Sequence, residues 1–351
     1  MDLSKVIRRN ILALAPYSCA RDEFKGEASV YVDANESPYE NGVNRYPDPL
    51  QHDVKVLLAA RKGVREEQIF LGNGSDEAID LIYRIFCEPR IDNVVAISPS
   101  YGMYQVCADV NDVEYRAVSL TEDFQLDIPA IVSKVDEHTK VIWICSPNNP
   151  SGNAFELKDL ESIVQRYSNL VVVIDEAYID FSDKGTMLSI LEKYDNLIVL
   201  QTFSKAWGQA AIRCGIAYAN PEIIRYFNRV KYPYNINVLT QQAAIRALSH
   251  PEVHDRHVEE ILGGREILRI LLGSLPIVEH IYPSDANFLL VRMKLDGMDN
   301  GQSADYIYHY MQNKGIIVRN RTRVHLCQGC LRITVGTPDE NATLYETLKT
   351  I

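Results

Sequence analysis

Two side chains, Lys205 and Asp175, stand where a protein can do covalent chemistry with an aldehyde. Lys205 lies in Thr202-Phe-Ser-Lys-Ala-Trp-Gly208 at the end of the apolar stretch Asn196-Leu-Ile-Val-Leu-Gln201, and Asp175 opens Asp175-Glu-Ala-Tyr178 after the apolar Leu170-Val-Val-Val-Ile174. An amine at the mouth of a buried strand, thirty residues after a carboxylate held the same way, is the layout of a Schiff-base site on pyridoxal phosphate. The amine attacks only when unprotonated, and an ordinary lysine titrates at about 10.4, so it needs burial or a cationic neighbour. Arg213, eight residues on, is a candidate neighbour. The carboxylate would hold a proton on the cofactor's ring nitrogen, which keeps the ring an electron sink. Taken singly, Lys205 reads as a solvated lysine at a helix start and Asp175 as a turn residue; their company decides otherwise.

That company lies at other strand ends. Leu71-Gly-Asn-Gly-Ser-Asp-Glu77 follows a strand-like segment and opens a helical one, and glycine lets an anion approach the backbone N–H groups there. A dinucleotide site would want a third glycine where Glu77 stands, so the loop suits a single phosphate. The same stretch also fits a capping box with Ser75 as N-cap, and Asp76 is repulsive toward a phosphate unless its side chain turns away. Cys145-Ser-Pro-Asn-Asn-Pro-Ser-Gly152 is a turn whose asparagine amide can donate to a cofactor oxygen, and Tyr101 in Ser98-Pro-Ser-Tyr-Gly-Met-Tyr104 can cover a flat ring. Alone, either would pass as an ordinary turn.

These ends belong to an alternating pattern. Strands are predicted at 69–71, 93–97, 113–118, 140–144, 169–174 and 196–200, with helices at 75–87, 101–109, 128–135 and 156–167 between them. Such alternation gives an α/β fold with a mostly parallel sheet covered by helices on both faces, whose sites lie at the strand ends. An apolar stretch follows at 214–219. A long helix at 252–272 then leads into a smaller α+β domain, with strands near 288–292 and 331–335 and helices near 304–313 and 339–348. The division expected is an N-terminal arm over 1–30, a large domain over 31–248 and a small domain over 249–351.

Composition narrows the partners. The 351 residues carry a net charge of −11 and gather no extended basic patch, which argues against nucleic acid. The one dense basic run, Arg319-Asn-Arg-Thr-Arg323, is sized for a small anion. No apolar run reaches the roughly 18–20 residues of a membrane span, and the start lacks a secretory core, so the expected place is the cytoplasm, with no membrane partner. Seven cysteines, an odd number, suggest reduced thiols. His325 with Cys327-Gln-Gly-Cys330 has ligand-like spacing but no second pair, so no metal is expected.

The ordered set Gly74-Ser-Asp76, Pro99-Ser-Tyr101, Pro147-Asn-Asn149-Pro-Ser-Gly152, Asp175-Glu-Ala-Tyr178, Ser204-Lys205 and Arg213 resembles that of fold-type-I pyridoxal-phosphate enzymes. With Pro16-Tyr17, Asp33-Ala-Asn35-Glu-Ser-Pro38, Arg45-Tyr46-Pro-Asp-Pro49 and Cys330-Leu-Arg332-Ile-Thr-Val-Gly-Thr337, the chain is similar to the histidinol-phosphate aminotransferases, a family of histidine biosynthesis.

The resemblance implies that Lys205 bonds the cofactor and later moves a proton, and that Asp175 pairs with the ring nitrogen. Tyr178 and Asn149 would hold the phenolic oxygen and Tyr101 would cover the ring. Gly74, Ser75, Asp76, Ser204 and Arg213 would hold the cofactor phosphate, with Tyr46 arriving from the second subunit of a homodimer. Arg332, aided by Arg319, Tyr17 and Asn35, would grip the carboxylate of glutamate or 2-oxoglutarate and the phosphate of histidinol phosphate in turn; a planar guanidinium takes either anion in a two-pronged hold. Arg332 also sits on an apolar strand, where an unpaired charge is rare, whereas Arg321 and Arg323 read as solvated loop residues. The chain departs from the family's pattern at Trp207, at Gln209-Ala-Ala211 and at Ser151, which leaves pocket shape open. A phosphothreonine decarboxylase or a broad aromatic aminotransferase would share the same frame.

Overall fold

A computed structural model describes residues 2–15 and 28–351. Its larger sheet has seven strands, β1 (Ile69–Asn73), β2 (Asn93–Ser98), β3 (Glu114–Ser119), β4 (Thr139–Cys145), β5 (Val171–Asp175), β6 (Leu197–Thr202) and β7 (Cys214–Ala219), in the order β1-β7-β6-β5-β4-β2-β3. All run parallel except β7, which is antiparallel to both its neighbours. The strands read as near-continuous apolar runs because both faces are covered. Side chains alternate between the two layers: Val171 and Val173 pack with the helices Ser75–Phe86, Met103–Val110 and Pro221–Val230, while Val172 and Ile174 pack with His52–Lys62, Ile128–Lys134, Leu157–Arg166 and Val238–Leu248.

A second sheet holds β8 (Val278–Ile281), β9 (Phe288–Met293), β10 (Arg319–Asn320) and β11 (Cys330–Thr334) in the antiparallel order β10-β11-β9-β8. The helices Pro251–Gly273, Asn300–Asn313 and Pro338–Leu348 cover it through Leu268, Leu272, Ala304, Ile307, Met311 and Leu344. The long helix runs unbroken through Gly263-Gly264, and a Cβ at Gly264 would stand 3.2 Å from Val335, so the glycine gives the sheet a close approach. No helix among the described residues is long and apolar enough to cross a membrane.

The predicted elements recur with ends moved by at most two residues, except that the helix expected near 304–313 starts four residues earlier, at Asn300, and further ones appear. The helices His52–Lys62, Pro221–Val230 and Val238–Leu248 and the strands β8 and β10 were not anticipated. Ser75 is not the N-cap: Gly74 takes that position with φ +77°, a conformation that favours glycine, and Ser75 is the first helical residue. The parallel strands end together at Asn73, Ser98, Ser119, Cys145, Asp175 and Thr202. Because β7 runs backwards, its first residues Cys214 and Gly215 lie at that same edge, opposite Asn73 and Thr202.

Candidate active site

At the end of β5, Asp175 is buried. Its Oδ2 accepts the Tyr104 hydroxyl at 2.6 Å and its Oδ1 accepts the Ala177 amide at 3.1 Å. Burial raises the acid's pKa, and these two donors pull it back toward the ionised form. No lysine, arginine or histidine nitrogen among the described residues comes within ion-pairing distance, so this is a buried anion facing a cavity without a cation of its own. A protonated ring nitrogen is the kind of partner such a group needs.

Tyr104 was missed in the sequence. Its ring stacks on Trp143 at 4.8 Å and 16°, Trp143 stacks on Tyr83 at 5.6 Å, and the Tyr83 hydroxyl donates to the Tyr104 carbonyl at 2.6 Å. Burial and the adjacent Asp175 push the Tyr104 phenol well above its ordinary range, so it stays a donor. Tyr101, just before the helix that starts at Met103, meets the Tyr104 ring edge to face at 5.7 Å.

Lys205 sits in the loop after β6, pinned where Phe203 N–H donates to the Cys214 carbonyl at 3.0 Å and Gln209 N–H to the Phe203 carbonyl at 2.9 Å. Its Nζ lies 5.5 Å from the centre of the Tyr178 ring, which packs edge-on against Phe288. Burial depresses the amine's pKa most, followed by the charge of Arg332; Asp175 opposes, and Arg213 acts more weakly still. The cationic neighbour sought in the sequence is therefore Arg332 ahead of Arg213.

The glycine loop and β7 form one cradle. Gly74 N–H donates to the Arg213 carbonyl at 2.8 Å, and a Cβ on Gly215 would stand 2.1 Å from the Ser75 nitrogen, so only glycine lets β7 pass so near the first turn of Ser75–Phe86. Ser204 and the Arg213 guanidinium line the same end of the cavity. The awkward Asp76 is occupied, taking the Tyr101 hydroxyl at 3.0 Å and lying 3.5 Å from Arg213 Nη2. Amides at a helix start, a serine and an arginine make a phosphate-sized anion site.

On the opposite wall, buried Asn148 ties two turns together by donating to the Pro99 carbonyl at 3.0 Å and to Ser151 Oγ at 2.7 Å. That leaves Asn149 to face the cavity, where its Oδ1 accepts Arg332 Nη1 at 2.5 Å. Arg332 comes from β11 of the smaller sheet and rests 5.3 Å from the Phe288 ring.

One cavity of about 840 Å³ gathers Ser75, Asp76, Tyr101, Asn149, Asp175, Tyr178, Ser204, Lys205, Arg213, Arg319 and Arg332. Arg321 lines it too, against the solvated-loop reading: it follows β10 directly, with its amide still donating to the Cys330 carbonyl of β11 at 2.9 Å; Arg323 is exposed. Asn35 and Tyr46 do not line it. They share a separate hollow of about 380 Å³ with Asn237 and Val238, where Tyr46 stacks on Tyr234 at 4.4 Å. Tyr17 lies outside the described residues. Trp207 packs against His254 at 4.2 Å and Arg61 at 5.1 Å, and neither it nor Gln209-Ala-Ala211 lines the cavity, so these departures leave its shape alone. Cys327 and Cys330 are buried, and among the described residues no group of acids, histidines and thiols is placed to hold a metal.

A lysine amine of lowered pKa, a buried carboxylate and a phosphate cradle along one edge of a sheet with a single reversed strand define a fold-type-I pyridoxal-phosphate enzyme. A profile of the family "Aminotransferase class I and II" matches residues 24–348. The chain is 54% identical over 348 residues, 99% of it and 98% of the relative, to a histidinol-phosphate aminotransferase of Parabacteroides distasonis. Among solved structures, the histidinol-phosphate aminotransferase of Clostridium acetobutylicum matches with TM-score 0.79 at 23% identity over 88% of this chain and 90% of that one. That of Sinorhizobium meliloti in complex with pyridoxal-5'-phosphate matches with TM-score 0.78 at 25% identity over 87% and 82%. The chain belongs to the class I and II aminotransferases and, within them, to the histidinol-phosphate aminotransferase family, and its cofactor is pyridoxal 5'-phosphate.

Proposed function

We propose that this enzyme moves an amino group between L-histidinol phosphate and 2-oxoglutarate, giving imidazole acetol phosphate and L-glutamate, as a step of histidine biosynthesis. The observation that carries the reading is that Arg332 and Arg319, opposite each other on β11 and β10, face the same cavity as Lys205, with no carboxylate of the described residues paired to either. An unneutralised guanidinium pair beside a lysine amine of lowered pKa suits an amino donor that carries an anion.

When bound, pyridoxal 5'-phosphate supplies the electron sink that makes the proton on the substrate's Cα removable. Gly74, Ser75, Asp76 through its amide, Ser204 and Arg213 hold the phosphate end. Asp175 would hold the proton on the ring nitrogen, Tyr178 and Asn149 would hold the phenolic oxygen, and Tyr101 would cover the ring. Lys205, its pKa lowered by partial desolvation and by the charge of Arg332, takes the Cα proton with its Nζ and returns it during the exchange. Arg332 and Arg319 fix the substrate anion so that Cα faces that amine.

We infer a homodimer working in the cytoplasm. Tyr46 is half exposed and away from its own chain's cavity, which fits a role at the phosphate of a second subunit, and Asn35 lies on the same hollow. The six described cysteines are all unpaired and buried, in keeping with a reducing compartment.

Incubating the purified enzyme with histidinol phosphate and 2-oxoglutarate should release glutamate, while phosphate-free histidinol should react far more slowly. Equal turnover of the two amines would overthrow the substrate assignment.

A further inference from the structure

We propose that Arg321 reads the charge of the bound anion: it makes this pocket prefer a phosphate monoester, which carries about two negative charges near neutral pH, over a carboxylate, which carries one. The inference rests on the reading above, that one pocket receives a phosphorylated amine and a dicarboxylate in turn. Arg319 and Arg332 face each other across β10 and β11, and Arg321 follows two residues after Arg319, its amide donating to the Cys330 carbonyl at 2.9 Å. All three guanidinium groups therefore share one wall of the cavity, while Arg323 stays outside.

No acid of the described residues neutralises that wall. Among the described residues no carboxylate pairs with any of the three arginines, and the Nε of Arg321 is buried without a hydrogen-bond partner. The cavity's own acids are engaged elsewhere, Asp76 by Tyr101 and Arg213 and Asp175 by Tyr104. Burial and the neighbouring charges of Arg332 and Arg319 bring the Arg321 guanidinium down to about 10, the mark of like charges pressed together. Two guanidiniums are enough to fork a single carboxylate. A third adds repulsion unless the ligand brings more charge and a third oxygen, and a phosphate brings both.

The test uses the cofactor-loaded enzyme with Arg321→Gln and Arg321→Lys. Calorimetry with inorganic phosphate and with maleate measures anion binding directly, and single half-reactions with histidinol phosphate and with glutamate measure its use. For Arg321→Gln, phosphate binding and the apparent affinity for histidinol phosphate should weaken about 10- to 100-fold, while maleate and glutamate change by less than about threefold. Arg321→Lys, which restores the charge without the fork, should recover the larger part of the phosphate preference. Equal losses for both kinds of anion, no loss for phosphate, or a lysine variant no better than the glutamine one would each overturn the proposal. If the unsubstituted enzyme ignores histidinol phosphate, the substrate reading falls, and the calorimetric comparison of phosphate with maleate still decides the role of Arg321.

Discussion

Replacing Tyr104 by Phe removes one oxygen and one hydrogen bond from the acid at the centre of the site. The ring should stay in place, because its stack on Trp143 and the Tyr83 bond to its backbone carbonyl do not involve the lost hydroxyl. What goes is the 2.6 Å donor to Asp175 Oδ2, leaving only the Ala177 amide. A hydrogen bond to a charged group contributes about 1.5–3 kcal/mol, and about 1.4 kcal/mol corresponds to one pKa unit, so the carboxyl should gain roughly one to two units. The sign is upward: the donor favoured the ionised form, and its loss adds to the upward push of burial already acting on Asp175. Asp175 then takes up a proton at higher pH and stops holding the ring-nitrogen proton. The profile of kcat against pH should keep its alkaline side and move its acidic limb up by about one to two units, with KM for the amino donor little changed. Tyr104 is a positioning residue in this account, and cofactor content by visible absorption and Tm are measured alongside. An acidic limb that stays put in a fully loaded variant would refute the reasoning.

Two further changes probe the frame. Gly215→Ala would drive a Cβ to 2.1 Å from the Ser75 nitrogen and 2.3 Å from the Gly74 carbonyl carbon, so the first helical turn must shift. Overpacking of this kind costs about 1–3 kcal/mol, and cofactor titration should show about 10- to 100-fold weaker binding, whereas unchanged affinity would mean the cradle is not built on that approach. Glu176 is buried at the end of β5 and accepts Thr186 Oγ1 at 2.6 Å, Met187 N–H at 2.7 Å and Gln201 Nε2 at 2.9 Å, yet burial outweighs these donors and raises it to about 7. A raised acid holds its proton better in the folded chain, so its contribution is present below about pH 4 and is lost as pH climbs to 7, a change of roughly 3 kcal/mol at most. The Tm of Glu176→Gln should therefore gain on that of the parent between about pH 5 and 8; parallel Tm curves would count against it.

The sequence displayed those parts of the site that sit where a strand stops. Asp175, Lys205, Asn149 and the glycine loop each follow an apolar run, and the parallel sheet brings such ends together by its own geometry. Arg332 stood out as a charge on an apolar strand. Tyr104 did not, because a tyrosine on the buried side of a short helix looks like core, and its only distinguishing contact comes from a residue 71 positions away. Arg321 was misread because it follows a strand of only two residues, too short for alternation to be visible, and only the hydrogen bond from its amide to the Cys330 carbonyl of β11 holds it beside the cavity. The helices His52–Lys62 and Val238–Leu248 were missed for a related reason. They bury few side chains, and their pattern is weak until the neighbouring sheet supplies the partner.

The Arg332 contact with Asn149 reaches from one sheet to the other. The guanidinium that would receive an incoming anion already spends one arm on a turn of the larger sheet, while its strand belongs to the smaller. An anion held there would therefore be tied to both sheets through a single side chain.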